Sequence, residues 1–142
     1  MGKFWLLFVL LAVGCGGGPP RSVTWADLEK PDALNKKNVS IEGYPGVLIP
    51  ATNTHKGEMS FFLLDSGVGL TSSAQHSVAV ELPAGERPNQ ASPLPDPYTE
   101  KDLKVHCVSG TATYRDKIRV EGWVEVLYGA ATIHARKIEK LP

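Results

Sequence analysis

Four histidines, two cysteines and a scatter of serines and carboxylates are the side chains of this 142-residue chain that could ligate a metal or act as a nucleophile. Metal sites draw their ligands from short spacings or from Cys/His clusters. His55, His76, His106 and His134 stand on separate segments without such spacing, so no metal site is expected. Ser66 lies beside an acid in Asp65-Ser66-Gly67, but these residue types gather in turns for backbone reasons. No Gly-x-Ser-x-Gly elbow occurs, and Gly67-Val68-Gly69 lacks the third glycine and following helix of a dinucleotide loop. Glu121 and Glu125 share one face of a strand, where charges are ordinary. The reading is therefore of a protein without catalytic residues or a cofactor. The aromatics offer a different chemistry, contact with a partner. Phe62 points away from Phe61, and Tyr44 and Trp123 occupy the polar sides of their strands beside interior glycines. Tyr44, Phe62 and Trp123 are the candidate partner-binding residues. The competing expectation is that Tyr44 and Trp123 cover those glycines or pack under a loop.

Cys15 has a context of its own. Lys3 gives a positive start, Phe4 to Val13 is an unbroken apolar run, and Ala12-Val13-Gly14 supplies small residues before the thiol. That is the layout of a secretory signal peptide cut at the Gly14–Cys15 bond. The run is shorter than the roughly 20 apolar residues that span a bilayer as a helix. A cysteine at the cut resembles the lipobox of bacterial lipoproteins, although Ala12 stands where leucine is commoner. The resemblance implies a diacylglycerol on the Cys15 thiol, which becomes the new N-terminus. Ordinary signal-peptidase cutting at the same bond is the alternative, and either route exports the protein. Gly16, Gly17 and Gly18, then Pro19 and Pro20, make a flexible tether stiffened at its far end. Gly16 in place of aspartate would go with outer-membrane sorting in a two-membrane bacterium, the domain facing the periplasm. The chain thus divides into a leader (1–14), a lipidated cysteine with tether (15–21) and one domain (22–142).

Removing the leader leaves about 128 residues, enough for one domain. The chain carries 15 basic and 15 acidic side chains, interspersed as in Glu100-Lys101-Asp102, and loss of Lys3 leaves a net charge of −1. Nucleic-acid binders need a basic stripe to neutralise phosphates, so that partner is not expected. Cys107 is the one thiol left in the domain and alternates in phase with Leu103 and Val105. It is expected to be buried as a small hydrophobe rather than to react.

Thr24 to Lys37 reads as a short helical segment, with Thr24 and Asp27 placed as a capping box and Pro31 forcing a break. Strand alternation follows at 39–42, with a bulge or bend at Gly43, and again at 59–64 and 78–82. Residues 83–99 hold Pro83, Pro88, Pro93, Pro95 and Pro97 and read as a long surface loop. Strands return at 103–108, at 118–126 with Gly122 in the apolar phase, and at 132–138. Five or six strands with glycines inside two of them suggest a small barrel that bends to close.

The stretches Trp25-Ala26-Asp27-Leu28 and Lys37 to Tyr44 resemble the opening helix and first strand of exported bacterial OB-fold domains. Phe61 to Asp65 resembles the second strand, Asp116 to Val124 the fourth and Ile133 to Ile138 the fifth. The implied fold is mainly β, a five- to six-stranded antiparallel barrel with a short N-terminal helix; an antiparallel sandwich is the runner-up. OB-folds often carry a helix between strands three and four, where this chain is proline-rich. The resemblance implies ligand contact across strands two and three and the neighbouring loops. The expected function is a non-catalytic, lipid-anchored module of the cell envelope that binds an envelope protein or glycan. Single-stranded nucleic-acid binding and small-ligand carriage are the alternatives. For the latter, the chain is similar to the tethered haem chaperone of cytochrome c maturation. It lacks that family's C-terminal haem-attaching histidine, since His134 falls inside the last strand.

Overall fold

The computed structural model describes residues 18–48 and 58–142. The leader, Cys15 and His55 lie outside them. Thr24 caps helix α1 (Trp25–Glu29) through the expected box. Its hydroxyl accepts from the Asp27 amide, and the Asp27 carboxylate accepts from the Thr24 amide at 2.8 Å. Pro31 then restarts the chain as a 3-10 turn over Pro31–Leu34, as proline at a first helical position allows. Among the described residues no helix is long and apolar enough to cross a membrane.

Strands β1 (Arg21–Ser22), β2 (Asn38–Gly46), β3 (Glu58–Leu64), β4 (Ser77–Pro83), β8 (Ile118–Leu127) and β9 (Ala130–Lys140) form one sheet in the order β1-β2-β3-β4-β9-β8. A further pairing of β2 with β8 closes five of them into a barrel. This is the OB-like architecture, and closure rules out the sandwich. The all-antiparallel expectation is corrected: outside the ring β1 runs parallel to β2, and within the ring β4 and β9 run parallel, Val80 opposite Ile133. The reason is parity. Directions cannot alternate all the way round a ring of five strands, so one seam must be parallel.

Closure makes β2 serve two partners on its way. Residues 38–43 pair with β8, and residues 44–46 pair with β3. Gly43 stands at the handover, where a methyl group would press on the Leu64 carbonyl oxygen and the Leu63 side chain. The expected bend is there. Gly122 holds a second close approach, since a methyl group at that position would overlap the His134 carbonyl oxygen. The register slips at this point, with Glu121 opposite Lys137 and Gly122 opposite Ala135, so the extra residue lies on β9 rather than on a glycine strand.

Alternation sends Val39, Ile41, Phe61, Leu63, Val80, Val120, Val124, Ile133 and Ile138 into the barrel, each at most 3% exposed. Among the described residues no buried residue is polar or charged. The barrel interior is a packed core.

The chain between β4 and β8 departs from the expected plain loop. It holds a second sheet, β5 (Gln90–Ala91), β6 (Val105–Cys107) and β7 (Gly110–Ala112), plus a 3-10 turn over Glu100–Asp102. The prolines flank Gln90–Ala91 without entering it, so this short edge strand forms inside a proline-rich stretch. Ala91, Leu103, Val105, Cys107 and Ala112 join the barrel core. Hydrogen bonds fasten the insertion to β9: Val108 N donates to the Ile138 carbonyl at 2.9 Å, Ile138 N donates to Asn89 Oδ1 at 2.8 Å, and Lys140 N donates to Ser109 Oγ at 3.1 Å, among others.

Replacing Gly122 by alanine should force β8 from β9 and cost about 2–3 kcal/mol, by analogy with other overpacked cores. Urea unfolding checks this: a midpoint unchanged from wild type would show that β9 yields at the bulge instead.

Candidate functional site

Four strands contribute one polar row to the outside of the barrel. Glu81 on β4 pairs with His134 on β9, which pairs with Trp123 on β8, which pairs with Asn38 on β2. Their inward neighbours Val80, Ile133, Val124 and Val39 are fully buried, so the row faces out. The His134 ring stacks on the Trp123 indole, with centroids 4.0 Å apart and planes 10° from parallel. Its Nδ1 lies 3.3 Å from Glu81 Oε2 and its Nε2 lies 3.3 Å from Glu125 Oε2. The Glu125 contact is an ion-pair distance without hydrogen-bond alignment. One row along, Phe62 on β3, Ala79 on β4, Thr132 on β9 and Glu125 on β8 continue the same face.

The other described histidines are also held by acids. His76 Nδ1 meets Asp65 Oδ2 and Nε2 meets Glu29 Oε1, both at 2.9 Å, and its ring stacks with Trp25 at 6.3 Å. This joins α1 to the start of β4. Its pKa is raised above the ordinary 6.5, first by the Asp65 hydrogen bond and then by Glu29. Burial pushes the Asp65 carboxyl up, but bonds from His76 outweigh it and hold the group below the ordinary value. His106 Nε2 lies 2.8 Å from Glu86 Oε2 and 2.7 Å from Ser92 Oγ, while Nδ1 lies 3.1 Å from Thr111 Oγ1. The His106 and His134 side chains are 15% and 26% exposed and engaged by neighbours. Among the described residues no cluster of three or more His, Cys, Asp or Glu is placed to hold a metal ion.

Across β2, β8 and β9, Arg119 donates to Glu42 at 2.8 Å and to Glu139 at 3.3 Å. Beside these pairs a groove of about 660 Å³ runs between the β1–α1 segment and the barrel, lined by Ser22, Trp25, Ser40, Glu42, Arg119 and Glu121 among others. The guanidinium there already faces carboxylates.

The three candidate aromatics do not converge on one spot. Phe62 and Trp123 share the outer face but stand on strands separated by β4 and β9 on one side and by β2 on the other. Both are half-buried, and Trp123 spends one ring face on His134. Tyr44 lies around the bend, over Gly67, where a methyl group would sit 3.2 Å from the phenol ring. It covers a glycine, as the competing expectation had it, though a turn glycine rather than its strand neighbour. The cross-strand row was not visible beforehand because it depends on register, and only the alternation of Glu81, Trp123 and His134 onto polar faces hinted at it. Compared with protein-family models the chain matches none, and a comparison with curated proteins likewise finds no match.

Cys107 is 4% exposed, and burial pushes its thiol up to about 11. In the native protein at pH 8 it should resist iodoacetamide, whereas in denaturant it should alkylate within minutes; fast native labelling would contradict the burial. The His76 bridge has a defined pH signature. A raised histidine pKa adds stability that is complete below 6.5 and fades as pH rises through the folded value, while a lowered Asp65 pKa adds stability lost as pH falls below the ordinary 3.8. The melting-temperature gap between wild type and His76→Gln should therefore peak near pH 5 and narrow above neutrality. A gap independent of pH would show that the ring acts by packing against Trp25 alone.

Proposed function

We propose that this protein is a lipid-anchored binding module of the bacterial cell envelope whose OB-like barrel recognises an envelope protein or glycan through its outer face. The observation that carries the reading is the division of labour between the two faces of the barrel wall. The inner face is filled by apolar side chains. Recognition therefore falls on the outside, where Phe62, Thr132, His134, Trp123 and Glu81 lie across four adjoining strands. Aromatic edges beside fixed carboxylates and an imidazole suit sugar hydroxyls or polar peptide groups. The same carboxylates, Glu81 and Glu125, repel phosphates and weigh against single-stranded nucleic acid. The leader, the small residues before Cys15 and the glycine-proline tether support the anchor and the envelope location.

Two measurements test this. Mass spectrometry of the mature N-terminus should find Cys15 acylated; an unmodified thiol would remove the anchor. A photo-crosslinking residue in place of Phe62 should capture a discrete envelope component in living cells, and the same residue at exposed Val108 should not. Equal capture from both positions would remove the binding face.

A further inference from the structure

The β8–β9 hairpin closes with two residues, Tyr128 and Gly129, at φ 51° and 78°. Such left-handed turns favour Asn, Asp or Gly at the first position, and an aromatic there is uncommon. Nothing inside the barrel accounts for it, because Tyr128 is fully exposed at 106% and the preceding Leu127 is 58% exposed. An apolar and an aromatic side chain thus project from the end of the barrel on a strained turn.

The direction in which they project is informative. Trp123 pairs with Asn38, and β8 then runs four more residues to Leu127, about 13 Å past that row. Asn38 Nδ2 also donates to the Gly18 carbonyl at 3.2 Å, and β1 runs parallel to the start of β2. Gly18 therefore lies at the end of the barrel from which the hairpin protrudes. Cys15 is three residues before Gly18, a reach of at most about 11 Å. Lys36 and Lys37, both exposed, border the hairpin: Lys36 N donates to the Val124 carbonyl at 2.6 Å, and Val124 N donates to the Lys37 carbonyl at 3.0 Å.

We infer that the Leu127-Tyr128 tip is a second membrane contact, seated in the headgroup layer of the bilayer that holds the Cys15 acyl chains, so that the barrel stands on that membrane in one orientation. The inference rests on the lipid-anchor reading. Tyrosine is suited to this depth, with an apolar ring and a hydroxyl that stays wet. The flanking lysines suit anionic headgroups. Two side chains are too few to hold a protein on a membrane alone, but a contact made within reach of an existing anchor is intramolecular and needs little affinity of its own.

The test uses the full chain expressed in a lipoprotein-processing bacterium, purified and reconstituted into anionic phospholipid vesicles with brominated acyl chains. An environment-sensitive dye is placed at Tyr128→Cys, at Ala130→Cys as a second tip site that keeps the turn intact, and at Val108→Cys, exposed beside the far end of β9. Cys107 is buried and stays unlabelled. Flotation reads the anchor, and dye emission reads the tip. The expected result is flotation of all three variants, with blue-shifted emission at both tip sites quenched several-fold more strongly than at Val108. Flotation with water-like tip emission, or with equal quenching at Val108, would overturn the inference and leave the anchor standing. Failure to float would overturn both.

Discussion

The bend of β2 at Gly43 is the constraint on which the barrel depends. One nine-residue strand must pair with β8 along its first part and with β3 along its last, and the ring closes only where it changes partners. That handover brings the backbones of β2 and β3 close enough that a side chain at the bend would collide with a carbonyl oxygen. Closure of an odd ring then requires the parallel seam between β4 and β9. Parallel neighbours cannot be joined by a tight turn, and here the chain passes from β4 to β9 through the stretch from Ala84 to Lys117, which folds back as a small sheet and adds its apolar residues to the core, and then through β8. The insertion is part of the packing rather than an ornament on it.

With the interior filled, chemistry is confined to the surface, and there the histidines show a common pattern. His76, His106 and His134 each lie within 3.3 Å of a carboxylate oxygen, so none presents an unengaged ring to solvent. His76 bridges helix and sheet, His106 ties parts of the insertion together, and His134 is sandwiched in a row that crosses four strands. Of the three, His76 has its charge state coupled to structure, through Asp65 and Glu29.

Much of the domain was legible because its signals are local. Alternation gave the barrel strands, the Thr24 and Asp27 pair gave the helix start, Pro31 gave its end, and the phase of Cys107 gave its burial. What was not legible depended on which strand lies beside which. The stacking of Trp123 on His134 follows from a register that single strands do not encode. The same holds for the acids around each histidine, which come from residues 9 to 53 positions away. The extra residue on β9 was hidden because no glycine marks it. Gln90–Ala91 was hidden because proline density outweighed two residues of strand. Of the candidate aromatics, Phe62 and Trp123 lie on the outer face, and Tyr44 packs over the turn at Gly67.

The short β1 strand has a mechanical meaning. Arg21 and Ser22 lie parallel to Val39 and Ser40, the first strand of the closed ring, and Val23 adds a hydrogen bond to the Ser40 carbonyl. A pull on the chain upstream of Gly18 is therefore not borne by a loose linker joined to α1. It enters the sheet along the strand axis and loads those bonds together, in shear, instead of peeling them apart one by one. Through β1 the load passes directly to β2 and so to the closed ring.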